Sequence, residues 1–305
     1  MPRLPPMSAV RVFEAAARHQ SFTRAAEELG MTQAAVSYQI KMLEDRVGAP
    51  LFIRKPRQVV LTAKGRQLAP AVTEAFEALR TAFAEVDESV QSVLSIATFT
   101  TFASSWLVPR LGHFQEIHPS IAVQIAVSAQ ILDLNQDEFD VAIRTGKGDW
   151  PGMESQFLFP SLFTPVCSPK LLCQVDLREP ADLLKLPIIS PGDPWWRDWL
   201  AAAGVENVDL SDRPDHSLGA QQFEGMAAMA GQGVAMINPG FFRADLAAGR
   251  LIQPFDLILE ADRSYWLVFP KARRRSPKVQ AFRDWLLSEV ASDTEMAVPE
   301  PAPNR

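Results

Sequence analysis

Cysteine is nearly missing from the 305 residues: there are two, Cys167 and Cys173, too few for a disulfide framework. Long apolar runs are missing as well. None reaches the ~18 residues that a membrane-spanning helix needs, and the N-terminus has no signal-peptide core. These absences predict a cytoplasmic chain with no membrane partner. The usual catalytic signatures are also lacking: no Gly-x-Ser-x-Gly, no phosphate-binding glycine-rich loop and no His/Cys/Asp metal cluster. The four histidines, His19, His113, His118 and His216, do not fall at metal-ligand spacing. No cofactor, no metal and no catalytic residue is therefore expected.

What is present is an ordinary globular composition, 47% apolar and 22% charged, long enough for two or three domains. The net charge of −6 hides an asymmetry. Residues 1–66 carry 11 Lys+Arg against 5 Asp+Glu, or +6, leaving 19 against 31, or −12, for the rest. A basic head on an acidic body is the footprint of a protein that meets nucleic acid with one end only.

Within that head, Ser21–Val47 reads as two helices joined by a tight turn, preceded by a helix over Ser8–His19 that turns Val12, Phe13 and Ala16 inward. Phe22, Ala25, Ala26 and Leu29 share one face. Gly30 is a helix stop, and Thr32 stands where an N-cap belongs. The second helix buries Ala35, Val36, Ile40 and Leu43. Its other face offers Gln33, Ser37, Tyr38 and Lys41, side chains that can bond base edges and phosphates in a DNA major groove. Two short extended runs follow, Leu51–Arg54 and Val59–Thr62, around a tip holding Arg54, Lys55 and Arg57. A basic hairpin in that place is a wing that grips phosphate. The candidate DNA contacts are Thr23, Thr32, Gln33, Ala34, Ser37, Tyr38, Lys41, Arg54 and Arg57.

The run TQAAVSYQIKMLEDRVGAPLF…LTAKG, with the helices before it, resembles the winged N-terminal domain of LysR-type bacterial transcriptional regulators over residues 7–66. Ala34 is a departure, since the family often has proline there. The resemblance implies an α/β chain with a winged helix-turn-helix at 1–62 and a dimerising linker helix at 63–91. It also implies a two-lobed, periplasmic-binding-protein-like effector domain, with lobe I at 92–163 and 266–291 and lobe II at 164–265.

The pattern itself agrees. Thr62 can cap a helix running to about Val90, with Leu68, Val72, Phe76, Leu79, Phe83, Val86 and Val90 spaced by three and four, the seam of a helix pair. Pro70 is expected to kink its first turns. From Val93, short strands alternate with helices, which predicts parallel α/β sheets. The expected strands are 93–98, 122–128, 139–144, 158–167, 187–190, 233–237 and 265–269, and the expected helices are 104–117, 195–203, 221–230, 241–248 and 277–290. Crossings between two lobes are expected near Thr164 and Tyr265. The proline-bearing end predicts a disordered tail over 292–305, with removal of 293–305 silent.

Ligands of open α/β sheets bind beyond the carboxyl ends of strands. Those ends bring forward Thr100, Thr101, Ala103 and Ser104, then Ser128, then Arg144 and Gly146. Across the cleft they point to Ser190–Gly192 with Trp195, to Gln221 and to Tyr265. The runs SWLVPRLGHFQEIHP, DVAIRTGKGDWPG, AGQGVAM and SYWLVFP resemble the branch of the family that holds activators of glycine-cleavage genes and of β-lactamase induction. Ligand-contacting positions of the latter correspond here to Ala103 or its neighbour Thr101, Gln221 and Tyr265. Hydroxyl residues are usual at the first two, so Ala103 and Gln221 argue for a different ligand, such as an amino acid or other small carboxylate. Cys167 and Cys173 lie around an apolar strand end, which favours structural thiols over a redox sensor.

The resulting expectation is a regulator that binds double-stranded operator DNA as a homodimer or homotetramer, responds to a small-molecule effector and works with RNA polymerase. The competing class is a small-molecule-binding protein or enzyme built on the α/β part alone. A further alternative is an architectural DNA binder without effector.

Overall fold

A computed structural model describes residues 4–55, 58–86, 92–127, 139–173, 175–214, 217–293 and 296. The chain opens with α1 (Met7–His19), α2 (Phe22–Leu29), α3 (Gln33–Val47) and the antiparallel pair β1 (Phe52–Lys55) and β2 (Gln58–Leu61). Val12, Phe13, Phe22, Val36, Ile40, Leu43 and Leu51 close one core among them. Phe52 joins the wing to it, its ring meeting Phe13 and Phe22 at 5.6 and 5.2 Å. Each such ring or branched chain removed from water contributes about 1.5–3 kcal/mol. Ala35 is only half-buried, less than the helical pattern suggested.

Thr62 marks the entry to α4 (Ala63–Val86): its hydroxyl donates to Pro50 O at 2.8 Å and accepts from the Gly65 amide at 3.0 Å. Gly65 is required there by space. A Cβ would stand 2.2 Å from the Leu51 carbonyl oxygen, so the helix and the strand entry touch backbone to backbone. Pro70 lies inside α4, which is continuous across it. Leu68 and Val72 pack on the N-terminal core, whereas Leu79 and Phe83 are exposed. Val90 lies outside the described residues.

The second half is built from β3 (Ser92–Thr98), α5 (Thr100–Phe102), a π-helical turn (Ala103–Leu107), α6 (Val108–Ile117), β4 (Ile121–Val127), β5 (Val141–Gly146) and β6 (Met153–Val166). After α7 (Pro169–Leu172), α8 (Pro194–Ala202), α9 (Gln221–Met229), β7 (Ala235–Ile237) and α10 (Arg243–Ala247), β8 (Leu259–Pro270) returns and α11 (Pro277–Ser292) follows. The strands form one mixed sheet in the order β4-β3-β5-β8-β6-β7. Among the described strands only β3 with β4 and β3 with β5 pair in parallel. The expectation of parallel sheets is corrected by β6 and β8, of 14 and 12 residues, which run antiparallel through both lobes and join them. Bulges between Phe157 and Phe159 and between Pro160 and Leu162 mark where the pair bends.

Several boundaries shift for local reasons. The helix expected at Ser104 begins at Thr100, and its π turn ends two residues before Pro109. A proline ring clashes with the carbonyl four residues back, and a wider turn relieves that. The strand expected over 187–190 shrinks to a single parallel bridge, Ile188 with Val234. The helix expected over 241–248 breaks, because Phe241 and Phe242 turn into the core. The expected disordered tail does not begin at 292: Ser292 ends α11, the Asp293 side chain is 5% exposed and Met296 is buried in the main core. The other residues of that tail lie outside the described ones.

Candidate nucleic-acid interface and inter-lobe cavity

The two reading helices are fixed by local chemistry. Ser21 Oγ accepts from the Arg24 amide at 3.3 Å, and Thr32 Oγ1 from the Ala35 amide at 3.2 Å. Between them Gly30 takes φ +63°, a left-handed conformation open to glycine without a Cβ penalty. α3 presents its buried stripe, Val36, Ile40 and Leu43, to the core. Gln33, Ala34, Tyr38 and Lys41 are thereby left exposed and Ser37 half-exposed, with Thr23 and Thr32 exposed beside them. Glu44, on the inner shoulder of α3, accepts from the Leu51 and Phe52 amides at 2.7 and 3.1 Å and sets the wing against the helix. Arg54 sits in β1, but its side chain, like Arg57, lies outside what the structure describes. A polar helix face flanked by a hairpin can enter a major groove while the hairpin lies along phosphate.

The second site is a cavity of about 670 Å³ between the lobes, within the range that small ligands use. Thr100, Thr101, Arg144, Trp195, Gln221 and Tyr265 all line it. Three sequence candidates do not. Ala103 is buried in the π turn, and the Ser104 hydroxyl donates to Thr100 O and to Gln222 Oε1 at 2.9 and 3.1 Å. Gly146 instead carries the Trp150 ring, which a Cβ there would meet at 2.7 Å. Ser128 lies outside the described residues.

Sequence reasoning missed Ser161, Glu224 and Arg263 and left Thr98 and Trp150 unassigned within the strand-end runs; all five line the cavity. Thr98 Oγ1 and Ser161 Oγ are buried without a partner of hydrogen-bonding geometry, although Ser161 is near enough to Tyr265 to influence its titration. Such groups cost free energy unless something polar meets them. Ser190 adopts φ +49°, rare for a side-chain-bearing residue, and donates to Glu224 Oε1 at 2.6 Å. Backbone strain of that kind tends to sit at functional sites.

The cavity carries both signs of charge, Arg144 and Arg263 against Asp193 and Glu224. Burial pushes the Asp193 carboxyl up, against the pull of the Trp195 amide and the Arg263 charge. Burial likewise pushes the Tyr265 phenol up, so it stays a neutral hydrogen-bonding group at ordinary pH. The Cys167 thiol is pushed up to about 11 by burial, which leaves little thiolate for redox chemistry near neutral pH.

The bacterial regulatory helix-turn-helix model of the lysR family matches residues 7–66, and the LysR substrate binding domain model matches residues 87–291. The chain is 39% identical over 296 residues to the glycine cleavage system transcriptional activator of Escherichia coli (strain K12), covering 96% of each chain. It is 38% identical over 291 residues to the HTH-type transcriptional activator AmpR of Pseudomonas aeruginosa, covering 94% of this chain and 96% of that one. Among solved structures, the AmpR effector domain of P. aeruginosa superposes with a TM-score of 0.59 at 32% identity, over 66% of this chain and 97% of that one. ArgP from Mycobacterium tuberculosis, at 22% identity, shares the fold over 95% of this chain and 98% of its own, with a TM-score of 0.67.

Proposed function

The chain belongs to the LysR family of bacterial transcriptional regulators, and on that premise we propose that α3 reads operator DNA while the inter-lobe cavity binds a small carboxylate or amino-acid-like effector. Gln33 and Ser37 bond base edges, Thr23, Thr32, Ala34 and Tyr38 lie against the duplex, and Lys41, Arg54 and Arg57 neutralise phosphate. The observation that carries this reading is the exposed polar face of α3, set by the Thr32 cap and the Glu44 contacts to the wing. In the cavity, Arg144 and the hydroxyls of Thr100 and Thr101 receive the carboxylate, with Trp195, Gln221 and Tyr265 on the facing walls. Ala103, Ser104 and Gly146 act behind that wall. Leu79 and Phe83, exposed on α4, supply the apolar side of a dimer seam, and two such dimers form the tetramer. RNA polymerase is the partner downstream, and the chain does no catalysis of its own.

The test is a footprint on the DNA upstream of its own gene at two salt concentrations, followed by calorimetry with a panel of small carboxylates and amino acids. Protection over several helical turns, with a log–log salt slope of about −0.9 per phosphate contact, is expected. Protection no better than on random DNA, across genomic fragments and with metabolite pools added, would refute the reading.

A further inference from the structure

The π turn Ala103–Leu107 faces three neighbours at once. Next to it in sequence, Thr100 and Thr101 line the cavity. Ser104 and Ser105 donate to one acceptor, Gln222 Oε1, at 3.1 and 2.8 Å, while the Gln222 amide donates to Thr101 Oγ1 at 3.0 Å. On the third side, Trp106 Nε1 donates to Asp293 Oδ2 at 2.9 Å. The same carboxylate takes Arg110 at 2.8 Å and both terminal nitrogens of Arg243 at 2.6 and 2.7 Å. The Arg110 guanidinium lies 4.6 Å over the Trp106 ring, and its partner Glu289 also holds His113 Nδ1 at 2.6 Å.

Trp106 and Arg110 belong to the lobe built on β3, whereas Gln222 and Arg243 belong to the segment between the two crossing strands. One five-residue turn is thus tied to the opposite lobe at two places, through Gln222 and through Asp293. A π turn inside an α-helix is rare and is found frequently at functional sites. A ligand oxygen that accepts from the Thr101 hydroxyl polarises that hydroxyl and strengthens its bond from Gln222.

We propose that Asp293 is a positioning residue of the effector response, a clasp that holds the π turn against Arg243 and so couples occupancy of the cavity to the angle between the lobes. The proposal rests on the cavity being the effector site. Asp293 touches no ligand; it acts through Trp106 and Arg243.

The experiment uses the full chain without DNA, on a Cys173→Ser background with spin labels at Gln115→Cys and Arg197→Cys, exposed positions in the two lobes. Pulsed distance measurement compares the parent with Asp293→Asn, Gln222→Ala and the double variant. Either single change should lengthen and broaden the distance distribution. The double should shift it by less than the sum, because both ties act on the same turn. Amide exchange over 104–107 should quicken roughly 10-fold or more in Asp293→Asn, the factor implied by losing one charge-assisted hydrogen bond. Asp293→Glu, which keeps the charge, should restore part of the parent distance. Arg250→Ala, which breaks an exposed pair with Asp245 in α10, should leave the distance unchanged. An unchanged distance in Asp293→Asn with only a lower melting temperature, or strictly additive shifts, would reduce Asp293 to an anchor of the fold. The readout needs neither operator nor effector. Unchanged distances beside a good footprint therefore sink the clasp alone, and shifted distances without a footprint sink the regulator reading alone.

Discussion

Within residues 7–65 the polar groups that leave water find partners close by. Thr62 serves two contacts, Glu44 receives the two amides that start the wing, and Glu14 holds Arg18 at 3.0 Å. Gln39 Oε1 is the exception among the described residues there. Within residues 92–293, Thr98, Ser161, Ser168 and Trp285 each bury a polar atom without a partner, two of them at the cavity wall. In the first region the side-chain bonds tie helix to wing. In the second, Thr98 and Ser161 line the cavity, and a ligand atom that bonded their hydroxyls would be held the more firmly for it. The first region would thus meet its partner with bonds already made inside it, the second by making them.

Four sets of changes would break or sharpen that contrast. The largest effect belongs to Leu43→Ala, at the centre of the N-terminal core: a loss of about 2–5 kcal/mol, seen as an early thermal transition with DNA binding gone while ligand titration of the cavity is unaffected. Asp293→Asn should cost about 1.5–3 kcal/mol of stability. Burial pushes the Asp293 carboxyl up, but the bonds from Arg243 and Trp106 and the charges of Arg243 and Arg110 outweigh it and hold the group below its ordinary value. A carboxyl lowered in the fold stabilises above its unfolded pKa of about 4 and stops doing so as pH falls through the lower folded value. The gap between parent and variant melting temperatures should therefore narrow on acidification below about pH 4. Removing 293–305 should destabilise the chain in the same way.

Next in size, Gln33→Ala and Ser37→Ala should each lose about 1–3 kcal/mol of discrimination between operator and random DNA. Arg57→Ala should weaken both alike and make the salt slope shallower by about 0.9. Equal losses on both DNAs for all three variants would cancel the division of labour on α3. The smallest effect is Thr98→Val, which replaces an orphan hydroxyl by a methyl. Stability should change by less than about 1 kcal/mol or rise slightly, while calorimetry shows weaker binding of the effector. Marked destabilisation would mean that the hydroxyl already has a partner.

The N-terminal geometry was legible because its determinants are local. Ser21, Gly30 and Thr32 act within a turn of where they stand, and the buried stripe repeats at helical spacing. The cavity was half legible. Residues at strand ends, such as Thr100 and Arg144, follow from a general rule for α/β sheets, and Gln221 from its place at a helix start. Thr98, Ser161 and Arg263 come together only through the pairing of β3, β5, β8 and β6, which sequence spacing does not announce. One signal was available. Ser161 is the lone hydroxyl in the apolar run from Phe157 to Phe163, and such a break invites a question. The tail was misjudged because the prolines at 299, 301 and 303 coloured the whole segment, while Asp293 answers to arginines 50 and 183 residues away.

The contact of Gly65 with the Leu51 carbonyl fastens one end of a rod. α4 has 24 residues, about 36 Å at 1.5 Å per residue, and Glu74, near its middle, takes Arg274 from the far domain at 3.3 Å. With one end set against the wing, such a rod would act as a lever, magnifying at one end any tilt imposed at the other. A tilt of about 10° over that length displaces a tip by about 6 Å, nearly two base steps of ~3.4 Å. A tilt of that size between the domains would shift the reading head by about two letters of the duplex.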